Sequence, residues 1–112
     1  MNRYITVPKD KSAEIALDYD EAVKEQLLEI ELTESDINKL WEMGLFATIN
    51  SLTGSNIDVY ETESIFDIDM LRNVLESGIF DNRIYAGIDH VAKIKDLFQE
   101  ALKRKTSIHF FL

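Results

Sequence analysis

Two histidines and a run of carboxylates are the side chains of this 112-residue chain best suited to chemistry. His90 follows Asp89 at an expected helix start, and His109 stands between Ile108 and Phe110 in an expected strand. A histidine beside a carboxylate can serve as a general base or a metal ligand. A serine–histidine–acid set can be assembled on paper around His90. The chain has no G-x-S-x-G elbow to present a nucleophile, however, and any domain of this size supplies such stray partners. No catalytic residue is therefore assigned, and a non-enzymatic protein is expected. The four glycines, at 44, 54, 78 and 87, are too scattered for a phosphate loop or a dinucleotide fingerprint, and no cofactor is implied. Cysteine is absent, which excludes disulfides, thiolate nucleophiles and Cys-ligated metal.

The carboxylates concentrate in IDVYETESIFDID, residues 57–69, where Asp58, Glu61, Glu63, Asp67 and Asp69 occur with no basic residue. The same stretch carries Ile57, Val59, Tyr60, Ile65, Phe66 and Ile68. A calcium loop needs D-x-[DN]-x-[DN]-G with a later glutamate, and that spacing fails here, so no metal is expected. Helix capping accounts for the last acids: Ser64 or Asp67 as N-cap, with Asp69 in the positive first turn. Asp58, Tyr60, Glu61, Glu63 and Phe66 are left over. Aromatics ringed by charge suit a protein interface, where the ring supplies buried area and the rim supplies steering. These five residues form the expected partner-binding site.

Charge supports that reading. Twenty-one acidic against 12 basic residues give −9 and a pI near 4.6. Such a field repels nucleic-acid phosphates and attracts a basic protein. It is also unevenly spread: residues 12–36 carry nine acids against Lys24 alone, whereas residues 72–112 carry seven bases against five acids. Solubility alone does not require that asymmetry. The N-terminus has no apolar run long enough for a signal peptide and no segment approaches a membrane span, so a cytoplasmic protein is expected. With 46% hydrophobic residues, the chain is long enough for one core, and residues 1–112 are expected to form a single domain.

The elements that must position these residues follow from periodicity. Residues 2–7 read as a strand ending at Pro8. Glu14–Tyr19 alternates apolar and polar residues and reads as a second strand; Leu27–Thr33 reads as a third, with Glu29 and Glu31 on the wet outer face of a meander. A helix capped at Thr33 or Ser35 buries Ile37, Leu40, Trp41, Leu45, Ile49 and Leu52, with a break expected at Gly44. A second helix runs through Met70, Leu71, Val74 and Leu75 to Gly78. Residues 79–88 read as a loop. A third helix runs from Asp89 to the basic run Lys103–Lys105, and residues 107–112 form a last strand. The expected order is β-β-β-α-α-α-β: an α+β domain with an antiparallel sheet of about four strands and helices on one face.

ELTESDINKLWEMGLF leading to IDVYETESI, with the terminal LFQEALKRKTSIHFFL, resembles small acidic immunity proteins of bacterial toxin–immunity systems of the contact-dependent inhibition type. The resemblance lies in size, acidity, cysteine-free α+β layout and an aromatic terminal strand; no family residue is carried over. It implies a cytoplasmic protein that binds a cognate basic toxin C-terminal domain, such as a nuclease. Acidic side chains would then stand in for phosphates in the toxin's cleft. Two rivals remain: a regulatory or adaptor subunit using the same surface, and a small hydrolase using a carboxylate or His90. Oligomeric state is open.

Overall fold

The computed structural model describes residues 3–112. Four strands and five α-helices alternate along the chain: β1 (Arg3–Pro8), α1 (Lys11–Asp18), β2 (Leu27–Leu32), α2 (Glu34–Glu42), α3 (Leu45–Thr53), β3 (Thr62–Ile65), α4 (Ile68–Glu76), α5 (Asp89–Arg104) and β4 (Ile108–Phe111). The strands form one antiparallel sheet in the order β2-β1-β4-β3. The α+β class and the four-stranded antiparallel sheet are as the sequence predicts. The order of elements is not.

The second expected strand is a helix. Pro8 ends β1, and the Asp10 carboxylate then accepts from the Ala13 amide at 2.8 Å, an N-cap that opens α1. Within α1 the buried position is Ala13, while Ile15 and Tyr19 are 59% and 69% exposed. The alternation of Ile15, Leu17 and Tyr19 was therefore not a buried face. The second difference is β3, four residues cut from the acidic stretch. It is short, polar and at the sheet edge, so periodicity gave it no signal. Asn2, at the start of the first expected strand, lies outside the described residues.

The remaining elements form where their caps and faces dictate. Thr33 and Asp36 make a reciprocal capping box at the start of α2, and Gly44 separates α2 from α3 at φ +83°, a left-handed conformation that side chains disfavour. Asp67 caps α4 by accepting from the amides of Asp69 and Met70. Residues 79–88 hold two short 3-10 turns, anchored by buried Tyr85.

One sheet face carries the core. Ile5, Val7, Ile108 and Phe110 are fully buried there, and Phe110 meets Phe46 and Phe98 ring to ring at 6.3 Å each. Leu40, Ile49, Leu71, Val74 and Ile94 complete this layer from α2, α3, α4 and α5. Trp41, expected in the core, is only half-buried and lies edge-on to Phe46. Helix α1 is the exception to one-sided packing. It lies against the opposite sheet face, where its Glu14 reaches Ser107.

Candidate partner-binding surface

The sequence stretch singled out for binding does not form one patch. Asp58, Tyr60 and Glu61 occupy the loop leading into β3, at the end of the sheet where β4 finishes. Asp58 accepts from the next amide, Val59, at 2.7 Å. Tyr60 sits at φ +63° and is 71% exposed, yet it is held on two sides. The Arg3 guanidinium lies over its ring at 4.8 Å, and its hydroxyl donates a long bond to Glu34 at 3.4 Å. Glu61 exposes its side chain while its carbonyl accepts from Leu112. Glu63 spends both oxygens on backbone: Oε2 accepts from Asn56 at 2.7 Å and Oε1 from Ser64 at 2.9 Å. Phe66 follows the C-terminal end of β3, away from that loop, and is 54% exposed and edge-on to His109 at 5.3 Å.

Strand register defines what Phe66 borders. Glu31, Tyr4, Phe111 and Thr62 stand in one row across the sheet, and Glu29, Thr6, His109 and Ser64 in the next. Side-chain bonds from Thr6 to Glu29 (2.8 Å) and between Ser64 and His109 (2.8 Å) put the second row on one face. Phe111 stacks on the His109 ring, so the first row shares that face. This is the sheet face opposite α2–α5; α1 covers the middle of its second row, where Thr6 and His109 are buried, and leaves the first row and Glu29 uncovered.

A polar chain that sequence reasoning did not anticipate runs through it. Ser107 Oγ donates to Glu14 Oε2 at 2.7 Å and meets His109 Nε2 at 2.8 Å, while Ser64 Oγ meets Nδ1 at 2.8 Å. A carboxylate only accepts, so the Ser107 proton points to Glu14. His109 Nε2–H then donates to Ser107, and Nδ1 accepts from the Ser64 hydroxyl. Burial pushes the His109 pKa below its ordinary value, opposed in part by Glu14 and Asp18. No sequence signal could have found this set, because its members lie in α1, β3 and β4 and the segment before β4.

The chain of groups has the outline of serine–histidine–acid chemistry without its electrophilic half. The amide of Ser64, a backbone donor beside any tetrahedral oxyanion formed there, is taken by the Glu63 carboxylate. A negative charge there opposes the transition state that an oxyanion hole stabilises. His90 fares no better as a base. It pairs with Asp36 at 3.6 Å, but that carboxylate belongs to the α2 capping box. The backbone bond from Thr33 holds the Asp36 pKa below the usual carboxylate range. Among the described residues no three His, Asp or Glu side chains converge as a metal site, and no helix is long and apolar enough to cross a membrane.

Most of the acid is uncompensated. Ion pairs among the described residues engage Glu14, Asp36, Asp69, Asp81 and Glu100, leaving the rest of the 21 carboxylates without one.

No protein-family model and no curated protein matches the chain. Among solved structures it is similar to the Neisseria DNA mimic protein DMP12, with a TM-score of 0.70, 21% identity and coverage of 100% of both chains. At that identity the likeness is one of fold.

Proposed function

We propose that the protein is a non-enzymatic binder that sets its carboxylates in place of nucleic-acid phosphates on a basic nucleic-acid-binding protein. The observation that carries this reading is the surplus of unpaired carboxylates on a fold similar to that of a DNA mimic protein. A surface shaped for phosphate backbone is basic and accepts any rigid array of anions at the right spacing. An acidic protein competes there by charge complementarity, and exposed aromatics such as Tyr60 and Phe66 then lengthen the complex's lifetime.

Within this class the partner is a nuclease toxin domain, and the protein its immunity factor. The resemblance of the ELTESDINKLWEMGLF and IDVYETESI segments to such proteins supports that choice. The second reading is an adaptor that displaces DNA from a regulatory or architectural protein, and the likeness to a DNA mimic protein favours it. Purified protein titrated into basic nuclease domains and into basic non-catalytic DNA-binding proteins separates the two. Stoichiometric inhibition of a nuclease, relieved by excess duplex DNA, supports immunity. Displacement of DNA from the non-catalytic proteins alone supports the adaptor. Binding to neither group at low salt, or turnover of a substrate by the protein itself, would sink the proposal.

A further inference from the structure

We infer that the footprint of the basic partner centres on the open sheet face bearing Glu29, Glu31, Tyr4, Phe111 and Phe66, and not on the loop at the sheet end. The inference rests on the reading just given and names the surface it requires.

Electrostatics separates the two places. At the sheet end, Tyr60 is covered by the Arg3 guanidinium, so a lysine or arginine arriving there meets a cation. Two carboxylates of that segment, Asp58 and Glu63, are already bonded to backbone amides. The open face is different. Neither of its two cross-strand rows contains a lysine or arginine. Glu29 and Glu31 are exposed and enter no ion pair among the described residues; Glu29 accepts only the Thr6 hydroxyl. Asp18 of α1 adds an unpaired carboxylate at the border, whereas Glu14 is neutralised by Lys11 at 3.2 Å.

Geometry adds a second, independent reason. Residues two apart on a strand face stand about 6.7 Å apart, which spaces Glu29 and Glu31 comparably with successive phosphates on one nucleic-acid strand. At the opposite edge of the same face Phe66 is 54% exposed, and its ring lies edge-on to a histidine that is itself stacked on Phe111, the neighbour of Tyr4 and, through it, of Glu31. A face with uncompensated acid at one edge and exposed aromatic surface at the other suits a partner bearing several arginines or lysines: carboxylates take the charge and rings take the alkyl stem or the cation. A solvated sheet face has no need of rings locked in this way.

The test uses the full-length isotope-labelled protein and an oligolysine peptide as the basic probe, followed by amide chemical shifts at low salt. Shifts concentrated on β2, β4 and the residues around Phe66 are expected, with affinity falling roughly tenfold in the Glu29→Gln/Glu31→Gln pair. The Asp58→Asn/Glu61→Gln pair, which removes the same charge at the sheet end, is expected to bind within about twofold of the parent. The reverse ranking, or shifts spread evenly over the molecule, would overturn the assignment of the face while leaving the basic-partner reading intact. If the parent protein does not bind the peptide at all at low salt, the reading itself falls and takes the inference with it. The glutamine at 29 keeps an acceptor for Thr6, and far-ultraviolet circular dichroism of each variant checks that the fold is retained.

Discussion

Glu63 and Asp67 are neighbours in the acidic stretch, and only one of them declares its role in the sequence. Asp67 precedes an apolar-periodic run, so capping is legible, and its carboxylate does accept from the Asp69 and Met70 amides. Glu63 looks like free charge until β3 brings it beside the amides of Asn56 and Ser64. Asp67→Ala is expected to cost about 1 kcal/mol in chemical denaturation. Asp69→Ala, which loses only an exposed pair with Arg72, is expected to cost under about 0.5 kcal/mol. Equal losses would remove the capping argument. His109 provides a further residue-level prediction. Burial lowers its folded pKa from an ordinary 6.5, against the pull of Glu14 and Asp18, with only the hydroxyls of Ser64 and Ser107 as direct partners. As pH falls below about 6.5 the unfolded chain binds a proton that the folded chain resists, so stability falls with it. The loss ends once the folded imidazole also titrates. His109→Gln is expected to flatten that part of the stability–pH curve, measured by urea unfolding between pH 7 and pH 5 at about half-unit steps. An unchanged slope in the variant would assign the effect to other groups.

At the scale of elements, the sequence is most informative where a long periodic face coincides with a cap. The α2 start at Thr33 and the α4 start at Asp67 follow that rule, while α5 is legible from its long apolar face alone. It fails where an element is short and its apolar residues are not its buried ones. In α1 the two-residue alternation of Ile15, Leu17 and Tyr19 imitates a strand, whereas Asp10 and a single buried alanine decide for helix. In β3 the sequence TESI has only Ile65 buried, and pairing with β4 supplies the order. The correct fold class thus came from the composition of strands and helices, while the wrong chain order came from one imitated period in α1 and one short edge strand, β3, with no period to read. A pair of variants distinguishes helix from strand in α1. Ile15→Lys is expected to change stability by less than about 0.5 kcal/mol, because the side chain is exposed on the helix. Ala13→Leu is expected to cost about 1–3 kcal/mol by overpacking a position that is 1% exposed. A strand with Ile15 facing the core would give the opposite ranking in thermal or urea melts.

For the whole molecule, topology converts a sequence asymmetry into a spatial one. Strand β2 belongs to the most acidic segment, and β1 separates it from β4 of the near-neutral last third. The helices α2–α5 cover the other face, and α5 adds Lys93, Lys95, Lys103 and Arg104 to the molecule, two of them in ion pairs. Glu29 and Glu31 of β2 consequently stand unpaired on the sheet face away from α2–α5, which the net charge alone could not reveal. A one-sided field steers a basic partner to one face, and salt weakens it over a screening length of about 10 Å at 0.1 M. Three pairs of amide substitutions, each removing two charges, test this directly against a basic binding partner under stopped flow. Glu29→Gln/Glu31→Gln is expected to slow association most and to reduce its dependence on salt. Asp58→Asn/Glu61→Gln is expected to leave association within about twofold of the parent. Glu42→Gln/Glu76→Gln, which alters exposed positions of α2 and α4, is expected likewise to leave association within about twofold. Phe66→Ala is expected to leave association unchanged and to speed dissociation, by about thirtyfold if the ring contributes 2 kcal/mol. Equal slowing by all three pairs would mean that partners respond only to total charge, and that the placement of β2's glutamates has no part in recognition.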